Sequence, residues 1–182
     1  MYTQFKVRAE GDSAEVYRTA TKSEALEFVI RFLQKEGVAD TPNHYALWAA
    51  CPFLNGIDLQ MLREIPGLRF EVTRESAANA RFGISQMQWA MADTGTLVDD
   101  SSAIEQRLVS SLPTIHIALV PTSGILADMP DMLTRINPRE SAYIAMITGP
   151  SRTADIERVL TIGVHGPERL VIVFCDELGG GN

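Results

Sequence analysis

Ile115-His116-Ile117-Ala118-Leu119-Val120 is the stretch on which the fold turns. It is apolar almost throughout and shows no alternation of apolar and polar residues. That pattern predicts a strand buried on both faces, as in parallel sheets covered by helices on both sides. His116, inside this run, reads as a core histidine with its hydrogen bonds satisfied. Tyr143 to Thr148 and Leu170 to Cys175 repeat the pattern and predict two further buried strands. Working outward, Ala14 to Tyr17, Tyr45 to Ala50 and Arg69 to Thr73 read as shorter strands. Gln88 to Ala92 and Thr96 to Val98 read as a strand pair or one interrupted strand.

Helical signals alternate with these runs. Thr21-Lys22-Ser23-Glu24 is a capping box, in which hydroxyl and carboxylate each satisfy a free backbone N–H. Leu26, Val29, Ile30 and Leu33 follow at helical spacing, and Gly37 supplies the stop. Further helices are expected over Gly56 to Glu64, over Met129 to Ile136 with Leu133 and Ile136 inward, and over Asp155 to Thr161. Strands alternating with helices predict an α/β fold: a single three-layer domain built on a mostly parallel sheet. Its expected span is 14–176. An N-terminal segment (1–13), where Phe5 and Val7 are the strong apolar pair, stands before it, and a mobile glycine-rich tail (177–182) follows.

The chain has 182 residues, the size of one ordinary domain. Sixteen basic against twenty-three acidic residues leave a formal charge of −7, which argues against a nucleic-acid footprint or an anionic membrane surface. No apolar run approaches the roughly 20 residues needed to span a bilayer, and the start lacks the apolar core of a signal peptide. A soluble, cytoplasmic protein is expected, without membrane insertion. Two cysteines, Cys51 and Cys175, and three scattered histidines show no metal-ligand spacing, so no metal or cofactor is expected on this chain.

Three segments have compositions that suit chemistry. Asp93-Thr94-Gly95-Thr96 places small hydrogen-bonding groups around a glycine; its plainer reading is a turn between two strands. Gly149-Pro150-Ser151-Arg152-Thr153-Ala154-Asp155-Ile156-Glu157 lies between an expected strand and helix, where exposed N–H groups and Arg152 suit an anion. Ser151 or Thr153 would cap that helix, and Asp155 and Glu157 already answer its dipole, which weakens the case for a phosphate. This segment also resembles a hydrolase elbow, but Thr153 stands where the second glycine belongs. Gly163-Val164-His165-Gly166-Pro167 sets a histidine on a tight turn, suited either to proton donation or to fixing the turn. In parallel sheets such loops are expected at the carboxyl ends of the strands.

Taken in this order, Ala92-Asp93-Thr94-Gly95-Thr96-Leu97-Val98, the Gly149–Glu157 segment and Gly163–Pro167 resemble the signature of the LUD (lactate utilisation) domain family, as does Leu112 to Val120. The resemblance implies a fold similar to ribose-phosphate isomerases and coenzyme A transferases. It also implies a non-redox subunit in bacterial oxidation of L-lactate to pyruvate, acting beside partner proteins that carry the iron–sulfur clusters. It offers Asp93, Thr94, Gly95, Thr96, Gly149, Ser151, Arg152, Thr153, Asp155, Glu157 and His165 as candidate ligand-binding positions, with Arg152 orienting a small carboxylate or phosphate, and no assigned catalytic residue. Two other classes stay open. One is a stand-alone isomerase or transferase acting on a phosphosugar or acyl-coenzyme A through Asp155 or Glu157; the other is a pure interaction module.

Overall fold

The structure is a computed structural model that describes residues 1–153 and 161–179. In chain order its elements are α1 (Tyr2–Gly11), β1 (Glu15–Thr19), α2 (Lys22–Lys35), β2 (Ala46–Trp48), α3 (Leu59–Arg63), β3 (Leu68–Arg69), α4 (Arg74–Ala78), β4 (Phe82–Gln86), β5 (Trp89–Met91) and β6 (Thr96–Asp100). There follow α5 (Ile104–Ser111), β7 (Ile115–Pro121), β8 (Ile125–Leu126), α6 (Met129–Leu133), β9 (Ile144–Ile147), β10 (Arg152–Thr153), β11 (Thr161–Ile162) and β12 (Arg169–Cys175).

Six strands form a wholly parallel sheet in the order β1-β12-β7-β4-β2-β3. Every residue of β7 is buried, as its unbroken apolar run requires. One face packs against α2 and the segment around α3, joining Val29, Leu33, Trp48, Phe82, Ile117 and Val173 in a core. Helix α2 starts as its sequence dictates: Thr21 Oγ1 accepts from Glu24 N at 3.2 Å, and the Glu24 carboxylate returns to Ala20 N at 2.9 Å.

The other face carries α1, α4, α5 and a second sheet, in the order β8-β5-β6-β9. Here the reading of one sheet needs correction. Tyr143 to Thr148 does not become a doubly buried strand of the main sheet. Its core, β9, is an edge of the second sheet, antiparallel to β6, and Met146 is 45% exposed.

Strand β4, in the middle of the main sheet, has no legible apolar run because of what it touches. Gly83 passes under the backbone carbonyl of Val109 in α5 so closely that a side chain there would collide with it. Ser85 faces His116 instead of an apolar neighbour. Residues 1–13, set apart in the sequence, form α1 and its exit turn. Phe5 and Ala9 are fully buried, and the Tyr2 and Phe5 rings meet Phe174 of β12 edge-on at 5.4 and 5.0 Å. Val7 points outward. At the other end, Glu177 accepts from Lys22 N and Leu178 joins the α2-side core, so the first residues of the expected tail are packed. In α6 the inward residue is Met132, and Ile136 is buried just beyond the end of the helix; Leu133 is 51% exposed.

Candidate functional site

The expectation that the marked loops sit at the carboxyl ends of the main strands fails. Asp93–Thr96 and the Gly149 segment follow β5 and β9, which belong to the second sheet. They are therefore carried to the amino ends of β1, β7 and β12. Ser151 N donates to the carbonyl of Pro167, just ahead of β12, at 2.8 Å, and Gly163 N donates to the Ser151 carbonyl at 3.0 Å. These bonds clamp the Gly149–Thr153 and Gly163–Pro167 segments together.

Between this clamp, the last turn of α5 and β9 lies a cavity of about 460 Å³. Its wall includes Gly149, Ser151, Arg152, His165, Ser111 and His116. His165 stands exposed at the rim. His116 lies at the buried side, with no solvent exposure. Its Nε2 is 2.7 Å from Ser85 Oγ, while its Nδ1 has no hydrogen-bond partner among the described residues. Burial pushes the imidazole down from its ordinary 6.5 to about 4, so the ring is neutral near pH 7. The satisfied core histidine expected from the sequence is thus only half satisfied. The signal lay in the sequence as a polar residue inside an apolar strand; the cavity beside it came only from the packing of α5 and β9.

Arg152 is held by the turn after α1. Its Nη2 donates to the Asp12 carbonyl at 2.7 Å and to Ser13 Oγ at 2.9 Å, and Nη1 lies 3.7 Å from the Asp12 carboxylate. Nε and Nη1 stand outside the two hydrogen bonds, on a guanidinium whose position is set by the first two. Ser13 has positive φ (70°), the conformation that brings its hydroxyl to this contact.

The remaining marked positions divide. Asp93 and Thr94 are exposed in the β5–β6 turn, the plainer of the two readings. Gly95 is buried at φ +71°, with Ala9 of α1 so close that an added Cβ would lie 2.5 Å from Ala9 N. Its role in the fold is to let the hairpin seat α1. Thr96 Oγ1 donates to Thr94 Oγ1 at 2.8 Å and shares a 2.7 Å hydrogen bond with Thr148 Oγ1. Thr148 also lines the cavity, so Thr96 reaches the site through one intervening residue. Thr153 does not cap a helix. It lies in β10, which pairs antiparallel with β11. Asp155, Glu157 and most of the helix expected over Asp155–Thr161 lie outside the described residues, and Thr161 itself is in β11.

Among the described residues, no group of three or more His, Cys, Asp or Glu side chains is placed to hold a metal ion. No described helix is long and apolar enough to cross a membrane. Cys175 is buried and Cys51 half-buried, both as free thiols.

Comparison with known proteins places this geometry in a family. A crystal structure of a DUF162 family protein from Deinococcus radiodurans superposes with a TM-score of 0.68 at 18% identity, covering 96% of this chain and 95% of that one. At that identity the likeness speaks for the fold. "Lactate utilization protein C" of Anoxybacillus flavithermus is 36% identical over 104 residues, which is 57% of this chain and 47% of that protein. The protein of the same name from Bacillus subtilis is 37% identical over 109 residues, 57% of this chain and 45% of the relative. The matched stretch thus spans about half the length of these curated relatives. The family profile of the LUD domain matches residues 2–175, taking in α1, both sheets and the clamped segments around the cavity, and the chain therefore belongs to the LUD domain family.

Proposed function

We propose that this chain serves bacterial oxidation of L-lactate to pyruvate as a subunit without a redox centre, and that its cavity binds a small carboxylate. The observation that carries the reading is the clamp. Two separated segments that resemble the family signature meet at one cavity, with Arg152 and His165 on its wall and His116 at its buried side. Arg152 keeps Nε–H and Nη1–H outside its two hydrogen bonds, and a carboxylate oxygen can accept a single charge-assisted hydrogen bond from either. Asp12 and Ser13 hold the guanidinium in place beforehand, which lowers the ordering cost of binding. His165 at the rim adds a second donor.

Removing two electrons and two protons from the alcohol needs an electron acceptor. In this reading the electrons pass to iron–sulfur clusters in partner proteins, and this chain positions or hands over the small acid. The names of the relatives, "Lactate utilization protein C", support the assignment to lactate metabolism.

The test is lactate-dependent dye reduction in extracts of the source organism, with the gene deleted and then restored. Loss and recovery of activity are expected. Undiminished reduction in the deletion extract would refute the reading.

A further inference from the structure

Strand β9 is the outer strand of the second sheet; it pairs with β6 and, among the described residues, with no other strand. The direction of its backbone groups follows from the strands beside it. Ala92 N donates to the Leu126 carbonyl, so Ala90 turns toward β8, and Trp89 and Met91 turn toward β6. In the antiparallel ladder Thr96 and Val98 therefore face β5, while Leu97 and Asp99 face β9. Ala145 and Ile147, opposite Asp99 and Leu97, direct their N–H and C=O groups to β6. Those of Ile144 and Met146 point the other way, to an edge on which no described strand pairs.

That edge opens on a groove. Helix α5 stands across it, and the space between is a cavity of about 440 Å³ lined by Arg107, Ser110, Ser111 and residues 143–147. It adjoins the cavity described above, with which it shares Ser110, Ser111, Met146 and Ile147. Tyr143 and Met146 are exposed and give the groove apolar surface. The charge is one-sided. The protein carries −7, yet among the described residues no acidic side chain lines either cavity. Arg107 stands at one end of the groove and Arg152 at the other. Arg107 is half-buried and makes no ion pair among the described residues, and its guanidinium lies 4.9 Å from the Tyr143 ring centre.

Main-chain donors and acceptors in a row match another main chain, because an extended backbone repeats them at the same spacing. The four residues of β9 span about 13 Å, enough to pair with about four residues. We propose that the groove between β9 and α5 takes an extended acidic segment of a partner protein, which adds to β9 as a further strand and sets a carboxylate against Arg107. Apolar residues alternating with its acids cover Tyr143 and Met146. This surface is separate from the carboxylate-binding role given to Arg152, and neither depends on the other.

The experiment titrates the ¹⁵N-labelled chain with a capped hexapeptide alternating valine and glutamate, following backbone amide shifts and hydrogen exchange. The Ile144 and Met146 amides are expected to shift, and to exchange about tenfold more slowly with peptide bound. The same peptide with lysine for glutamate should bind roughly tenfold more weakly, a difference that Arg107→Gln removes. N-methylation of the peptide amides should abolish binding, and Met146→Pro should weaken it. Met146→Pro takes away an N–H that points out of the sheet, so the β6 ladder survives it. Propionate is the control; a carboxylate without a backbone, it should leave both amides in place. If millimolar peptide moves neither amide, if propionate moves them equally, or if the lysine peptide binds as well, the strand site is overturned. It is overturned too if both amides are already protected in the chain alone and sedimentation shows a dimer, since a second copy then fills the edge.

Discussion

Replacing Gly95 by alanine tests whether the hairpin and α1 form one structural unit. An L-residue at φ +71° costs roughly 1–2 kcal/mol in backbone strain alone. The new Cβ would also lie 2.5 Å from Ala9 N and 2.9 Å from both Ala9 Cα and Arg8 C. These are helix backbone atoms, which no side-chain rotation relieves. Helix α1 must back away, drawing Phe5 from its place against Phe174. Full burial of a phenylalanine is worth about 1.5–3 kcal/mol, so the total loss comes to about 3–5 kcal/mol. Native domains have roughly 5–15 kcal/mol in all. With a urea dependence of about 2 kcal/mol per molar, the unfolding midpoint should fall by about 1.5–2.5 M. Hydrogen exchange provides the spatial check: α1 amides should lose protection while the β6–β9 ladder keeps its own. A midpoint shift below about 0.5 M, or loss of protection spread evenly over both sheets, would refute the reasoning.

Two further predictions concern charge. Asp99 in β6 is buried, and desolvation, with a smaller push from Asp100, raises its carboxyl from 3.8 to about 6 despite a 2.8 Å hydrogen bond from Ser101 Oγ. A folded-state pKa above the unfolded one contributes stability that is complete below pH 3.8 and is lost as pH rises through about 6. Asp99→Asn should therefore gain up to about 3 kcal/mol over the wild type at pH 8 and nothing near pH 3.5; a pH-independent difference in urea unfolding would contradict the assigned cause. Arg152→Ala should lower stability by about 1–2 kcal/mol through the lost bonds to Asp12 and Ser13, and should weaken propionate binding about tenfold or more. Unchanged propionate affinity in a folded Arg152→Ala protein would remove Arg152 from the carboxylate site.

Much of the fold was legible because its signals are local. The unbroken apolar run of β7, the capping box of α2 and the strand pair around Gly95 each follow from side-chain chemistry within a few residues. What escaped depends on distant neighbours. Strand β4 hides its burial because Gly83 and Ser85 face an α5 carbonyl and a histidine. Helix α1 has a narrow apolar face, with Phe5 and Ala9 buried and Val7 turned to solvent, and its docking place is built by distant residues such as Gly95, Leu97 and, more than 160 positions away, Phe174.

The candidate site divides along the same line. The sequence by itself determined which residues are chemically apt: an arginine and two hydroxyls around Gly149–Thr153, and a histidine between glycines. Composition and local turn chemistry are enough to mark these. Only the tertiary structure decided that the segments meet, that they do so at the amino ends of β7 and β12, and that Arg152 is anchored by Asp12 and Ser13. It alone converted His116 from an apolar-strand histidine into the half-satisfied group beside a cavity. The reason is physical. A hydrogen bond left open in the core is a relation between a side chain and everything packed around it, and a strand's own residues do not encode what α5 and β9 leave empty.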